Sequence, residues 1–291
     1  MIRIAAAPVD AIRRARDRAR RASLRRRIEA AAWGKDERAP VTLEEPDVAR
    51  AIEEATVAMA VDSPALRRLI AVLMNSGAVD GTVERLASAT VQDRVGAVRT
   101  IGALRLHDAV PRVAPLLAAR ERPVSNAAAR ALGRIGGAQC ASALLRAIHH
   151  GRASRRFVAE LARAAPDLFV ESALREAERP GVRSALALAA GLRRRRTATT
   201  YLISLVQRGT RRERVVGCRA LGWIGASTAI PLITDALDDR DWRLRVSAAK
   251  ALGALRAQSA RTSLRYMFAD RNPRVREAAR LALRRIESHG S

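Results

Sequence analysis

The stretch DRNPRVREAARLALRRIE, residues 270–287, decides how the fold is read. Asn272 is a good helix N-cap, and Pro273 suits the first helical position. Val275, Ala278, Ala279, Ala282, Leu283 and Ile286 follow at the i, i+3, i+4 spacing of one apolar helix face. Between them stand Arg274, Arg276, Arg280, Arg284 and Arg285. Alone, this reads either as a nucleic-acid-binding helix or as one unit of an arginine-rich scaffold. The rest of the chain separates the two.

The stretch has relatives upstream: DRDWRLRVSAAKALGALR (239–256), ERVVGCRALGWIG (213–225), VRSALALAAGL (182–192), VSNAAARALGRIG (124–136) and QDRVGAVRTIGAL (92–104). Alignment on the small-residue column gives Gly102, Gly133, Ala162, Gly191, Gly222, Gly253 and Arg284, at steps of 31, 29, 29, 31, 31 and 31 residues. Ile101, Leu132, Leu161, Ala190, Leu221, Leu252 and Leu283 form an apolar column beside it. A second set recurs in the latter half of each unit: Val113, Leu144, Ala173, Leu202, Ile233 and Leu264. Each unit of about 30 residues therefore reads as a helix pair, A then B. A hairpin that cannot bury its own apolar face does so by stacking, which makes a solenoid. A glycine inside helix A costs roughly 1 kcal/mol against alanine, so close helix–helix approach is its expected role. Gly136 and Gly225 are expected to close A helices in the left-handed conformation.

The pattern VRxxAAxALGxIG followed by AxxxLxxLL resembles the HEAT repeat, in its short bacterial phycobilisome-lyase-type form. The resemblance covers about residues 92–288 and is strongest at 121–148 and 209–288; 151–178 is degenerate. It implies an all-α, armadillo-like fold, a right-handed superhelical α-solenoid of stacked helix pairs. The function it implies is that of a non-enzymatic scaffold or adaptor binding a protein partner.

Composition agrees with packed helices. Aromatic residues make up only 3% of the chain, while alanine and leucine carry the apolar content. The 54 basic residues outnumber 29 acidic ones, for a formal charge of +25, and only Lys35 and Lys250 are lysines. Such an excess draws polyanions or acidic partners. Cys140 and Cys218, isolated in a long chain, fit a reducing compartment. No apolar run approaches the roughly 20 residues of a membrane span, and no signal-peptide pattern opens the chain. The expected location is cytoplasmic, with the cytoplasmic side of a membrane within reach of a basic arm.

That arm is residues 1–38. AIRRARDRARRASLRRRI (11–28) sets nine arginines, Arg13, Arg14, Arg16, Arg18, Arg20, Arg21, Arg25, Arg26 and Arg27, against Asp17 alone. Ile12, Ala15, Ala19, Ala22 and Ile28 offer a thin apolar stripe. The segment reads as a solvated helix on the first repeat or as a polyanion-binding arm for an anionic membrane surface, an acidic partner or nucleic acid. Residues 39–61 then change sign. APVTLEEP (39–46) reads as a linker, and DVARAIEEATVAMAV (47–61) as an acidic helix that caps the array or neutralises the arm, with Val48, Ile52, Ala55 and Met59 on one face. The solenoid is expected over 62–288, about seven units and a terminal capping helix, followed by a 289–291 tail.

The repeat frame sorts the other arginines. Arg94, Arg183, Arg214, Arg245 and Arg276 share a column near the start of helix A, interrupted by Ser125 and Ser154. The resemblance implies a structural ladder here, each arginine bonding an acid or carbonyl of the next repeat; Asp239, Asp241 and Asp270 are nearby. Arg99, Arg130, Arg219 and Lys250, about 140° around the helix, are expected to form a surface basic stripe. Arg193, Arg194, Arg195, Arg196, Arg211 and Arg212 lie in turns and are expected to form an edge patch.

Catalytic patterns are few. His107, His149, His150 and His289 have no HExxH or CxxC spacing around them, and no P-loop, GxGxxG or GxSxG occurs. A HEAT-repeat enzyme family, deoxyhypusine hydroxylase, binds iron through His-Glu dipeptides, and this sequence contains none. The reading is therefore of no enzyme, no cofactor and no metal. A nucleic-acid-binding solenoid contacting phosphates is the alternative, and a phycobilin-lyase-like or DNA-glycosylase-like enzyme rests on fold analogy alone.

Overall fold

The computed structural model describes residues 7–35, 46–60, 62–152 and 154–288, without the side chains of residues 7–10, 12, 13, 46 and 47. The linker expected over 39–46 lies outside the described residues apart from Pro46, as does the 289–291 tail. Among the described residues the structure is α-helix and short 3-10 turns, with no strand. The fold is an all-α solenoid of helix pairs, and it divides into two compact units, 1–136 and 137–291.

The first unit holds α1 (Ala7–Ala32), α2 (Pro46–Thr56), α3 (Pro64–Asn75), α4 (Ala78–Glu84), α5 (Val91–Leu104), α6 (Val110–Val113) and α7 (Arg122–Ile135). Helices α2, α5 and α7 stack as A helices, each against the next. The acidic segment therefore supplies a full A helix, and the array starts one helix earlier than residue 62. Helix α2 stops at Thr56, short of the expected residue 61; the Thr56 hydroxyl donates back to the Ile52 carbonyl at 2.8 Å. Val48, Ile52 and Ala55 are buried as expected, in a core that includes Leu69, Leu73 and Leu104.

The second unit holds α8 (Gly137–His149), α9 (Arg155–Ala164), α10 (Asp167–Glu176), α11 (Pro180–Leu192), α12 (Thr199–Arg208), α13 (Arg211–Ile224), α14 (Ile230–Asp235), α15 (Trp242–Leu255), α16 (Arg261–Tyr266) and α17 (Pro273–Glu287). Here α11, α13, α15 and α17 are the stacked A helices. Their starts follow the sequence. Asp241 and Asn272 accept from the amides of Arg243 and Arg274, and Ser154 caps α9 through the Phe157 amide. Several B helices, by contrast, are an α turn continued by a 3-10 turn, as α14 is by Ala236–Asp238 and α16 by Met267–Ala269.

The small-residue column does what its period implies. A Cβ added at Gly222 would sit 2.7 Å from the Ala251 Cα, and at Gly253 2.7 Å from the Ala282 Cα. At Gly102 it would meet the Ala131 Cα at 2.6 Å. Each glycine thus lets the next A helix touch its backbone. Gly225 closes α13 at φ 80°. The same place in other repeats is held by arginine in the left-handed region: Arg105 at φ 54°, Arg194 at φ 53° and Arg256 at φ 52°.

Candidate interaction surfaces

The ladder column is a series of ion pairs to the following repeat. Arg94 bonds Glu121 at 2.8 Å, Arg183 bonds Glu213 at 2.5 Å and Arg214 bonds Asp239 at 2.6 Å. Arg245 takes both carboxylate oxygens of Asp270, at 2.7 and 2.9 Å. Arg276 donates to the carbonyls of Asp270 and Arg271. Among the expected acceptors, Asp241 instead caps α15. Glu121 and Glu213 were not expected, although an acid 25–30 residues after each ladder arginine is the signal that finds them.

Glu213 is fully buried and serves three partners. Besides Arg183, it accepts from the Thr210 amide and hydroxyl, both at 2.7 Å, closing a capping box. Burial alone would raise its carboxyl, but the bonds from Arg183 and Thr210 outweigh that and hold it below the usual range. Asp239, raised by burial, is depressed in the same balance by the Asp241 amide and then by Arg214. The Arg245 bonds hold Asp270 low against its burial. These arginines are structural cations, unavailable to an outside polyanion without breaking the stack.

Two further groups of expected surface arginines need correction. Arg99 is not part of a free stripe: it binds Glu53 of α2 through Nε at 3.0 Å, and Arg134 reaches the other oxygen of the same carboxylate at 2.9 Å. The acidic helix thus neutralises solenoid arginines, because stacking brings Glu53 over two later A helices. Arg130, Arg219 and Lys250 remain exposed. In the edge patch, Arg195 is buried, donating to Asp167 at 2.5 Å and to the Ala165 carbonyl. The left-handed turn at Arg194 swings the next side chain inward. Arg193, Arg194, Arg196, Arg211 and Arg212 are exposed, and Arg211 lies 3.7 Å from Asp241.

The N-terminal helix is two things in one. Its latter part belongs to the core: Leu24, Ile28, Ala31 and Ala32 pack with residues of α2 and α3. The segment expected as an arm, residues 1–38, therefore includes core residues, while the boundary at 38 lies outside the described residues. Its earlier part buries no described side chain from Ala11 to Ser23. Of the expected stripe, Ala15, Ala19 and Ala22 are exposed and only Ile28 is buried; the Ile12 side chain lies outside the described residues. Arg14, Arg16, Arg18, Arg20, Arg26 and Arg27 are exposed. Arg21 donates to the Asp17 carbonyl and Arg25 pairs with Glu29 at 2.7 Å. The Arg13 side chain lies outside the described residues.

The residues weighed for chemistry are dispersed. His149 and His150 form an edge-on ring pair at the end of α8, and no group of three or more His, Cys, Asp or Glu among the described residues is arranged to hold a metal ion. Cys140 and Cys218 are buried and unbridged, and burial pushes the Cys218 thiol up to about 12. No helix among the described residues is long and apolar enough to cross a membrane.

Comparison with known proteins follows this geometry. Residues 210–284 match the family model for HEAT repeats, and residues 126–150 match that for the PBS lyase HEAT-like repeat. No curated protein matches the sequence. Among solved structures, human deoxyhypusine hydroxylase in complex with glycerol is 18% identical and covers 84% of this chain and 97% of its own, at a TM-score of 0.37. An engineered protein, also 18% identical, covers 85% of this chain and 82% of its own at a TM-score of 0.37. These two likenesses are too distant to carry an argument about activity. The family models fall on α7 and α8 and on α13–α17, and these segments carry HEAT repeats.

Proposed function

We propose that the protein is a non-enzymatic scaffold that binds a protein partner through its repeats and is tethered to an anionic surface by the first half of α1. One observation carries the tether. Residues 14–20 of α1 are exposed on every side of the helix, arginines included, while the ladder arginines are consumed within the fold. About 10 Å of helix, at 1.5 Å per residue, is available to a charged surface. With alanine as its only described apolar content before Leu24, this segment suits electrostatic adsorption to lipid headgroups or an acidic protein rather than insertion into acyl chains.

Sedimentation with phosphatidylserine-containing and neutral vesicles tests this, using full-length protein and an R16Q/R18Q/R26Q/R27Q variant. Leu24 and Ile28 stay in place, so the core of the first unit is untouched. At about 1 kcal/mol per arginine near an anionic membrane, the four changes weaken binding by up to about a thousandfold. Equal binding by both proteins refutes the tether. Retention on duplex DNA with a steep inverse salt dependence, lost in the variant, would move the segment to nucleic acid.

A further inference from the structure

In the second unit the outer edges of the A helices carry a row that the fold leaves unsatisfied. Close approach at Gly191, Gly222 and Gly253 holds α11, α13, α15 and α17 in a fixed register. Residues 31 apart therefore lie side by side at the 8–10 Å spacing of packed helices. Two adjacent columns at that period bring together Leu192, Arg219, Trp223, Lys250, Leu281 and Arg285. Three of these are large apolar side chains left in water: Leu192 is 49% exposed, Trp223 38% and Leu281 38%. Trp223 rests its inner edge toward Gly191 and carries the Arg219 guanidinium 5.9 Å from its ring centroid. The three cations are exposed and form no ion pair with the described residues. Glu277, one turn before Leu281, is the acid at its rim.

The first unit shows what such a row binds. There Arg99 stands in the column of Arg219 and Lys250, and Arg134 in that of Trp223 and Arg285; both bond the carboxylate of Glu53, on a neighbouring helix. The second unit has the same cations, added apolar surface and no acid paired with them among the described residues, Glu277 standing at the rim.

We infer that this row is the docking face for an acidic, amphipathic helical segment of the protein partner. Carboxylates of the segment pair with Arg219, Lys250 and Arg285, as Glu53 does with Arg99 and Arg134. Its leucine-type side chains cover Leu192, Trp223 and Leu281. The inference rests on the reading of the repeats as a protein-binding scaffold and names the chemistry of the partner.

The test uses the full-length chain and a fluorescein-labelled helical peptide of leucine and glutamate in heptad spacing. The same peptide with every glutamate replaced by glutamine, polyglutamate, and a 20-base-pair DNA duplex serve as competitors or controls. The Leu/Glu peptide is expected to bind. R219E/K250E/R285E and, separately, W223A are expected to weaken it by about tenfold or more, while R16Q/R18Q/R26Q/R27Q leaves it unchanged. Circular dichroism confirms that the variants are folded. Equal binding of the glutamine peptide or of polyglutamate overturns the proposal, since either then needs only half of the face. So does loss of peptide binding in the α1 variant with retention in the triple variant, or preferential capture of the duplex through the row. Vesicle binding by the triple variant reads the tether separately, so the two proposals fail independently.

Discussion

Replacing Gly222 with alanine sets two effects of opposite sign against each other. In an unobstructed helix interior the change gains about 1 kcal/mol of helix propensity. In α13 the new methyl would lie 2.7 Å from the Cα and 2.8 Å from the Cβ of Ala251. Carbon atoms ordinarily pack near 3.5–4 Å apart. Neither atom belongs to a flexible side chain, so relief requires α13 and α15 to separate. Overpacking of this kind costs about 1–3 kcal/mol; with rigid neighbours the upper end applies, and the net loss is about 2 kcal/mol. Gly96 in α5 is the control: a methyl placed there would meet nothing within 4 Å, so Gly96→Ala gains up to about 1 kcal/mol. The assay is urea and thermal unfolding followed by helical circular dichroism, where 1 kcal/mol corresponds to about 2 °C in this size range. G222A is expected to melt about 4 °C lower and G96A about 2 °C higher. Ala251→Gly in the G222A background removes the facing methyl but leaves the backbone carbon behind it, so it rescues in part, with a coupling of about 0.5–3 kcal/mol. If G222A stabilised the protein as G96A does, the close-approach account of the glycine column would be refuted.

Other outcomes follow from the site geometry. Glu213, Asp239 and Asp270 have folded pKa values below their unfolded ones. The stability they contribute is therefore full above the unfolded values, near pH 4, and is lost as pH falls further through the folded values. Acid titration should unfold the second unit, and Glu213→Gln should flatten that response as it lowers stability at pH 7. Arg256 is exposed at φ 52°; Arg256→Gly should relieve about 1 kcal/mol of left-handed strain, offset in part by unfolded-chain entropy, and raise the midpoint slightly. Cys140 and Cys218 are buried, and the Cys218 thiol is pushed up to about 12. Both should resist a disulfide reagent until denaturant is added, and prompt labelling of the native protein would contradict their burial.

The period of about 30 residues, the alternation of A and B helices, the capping at Asp241 and Asn272 and the role of the small-residue column were all legible in one chain. Each is written in residues close in sequence or repeated at a constant step, so local propensity and register suffice. The fate of the arginines was not legible in this way. Arg99 and Arg134 meet Glu53 from 46 and 81 residues away, and Arg195 turns inward only because the preceding residue is left-handed. Arg219, Lys250 and Arg285 stay in solvent because no acidic side chain of the described fold pairs with them. Sequence by itself determined that this protein stacks helices around an apolar seam, because apolar periodicity is a property of the chain. Which of its many cations are neutralised, and which face outward, was decided by tertiary structure, because an ion pair depends on the distance between side chains that only stacking sets.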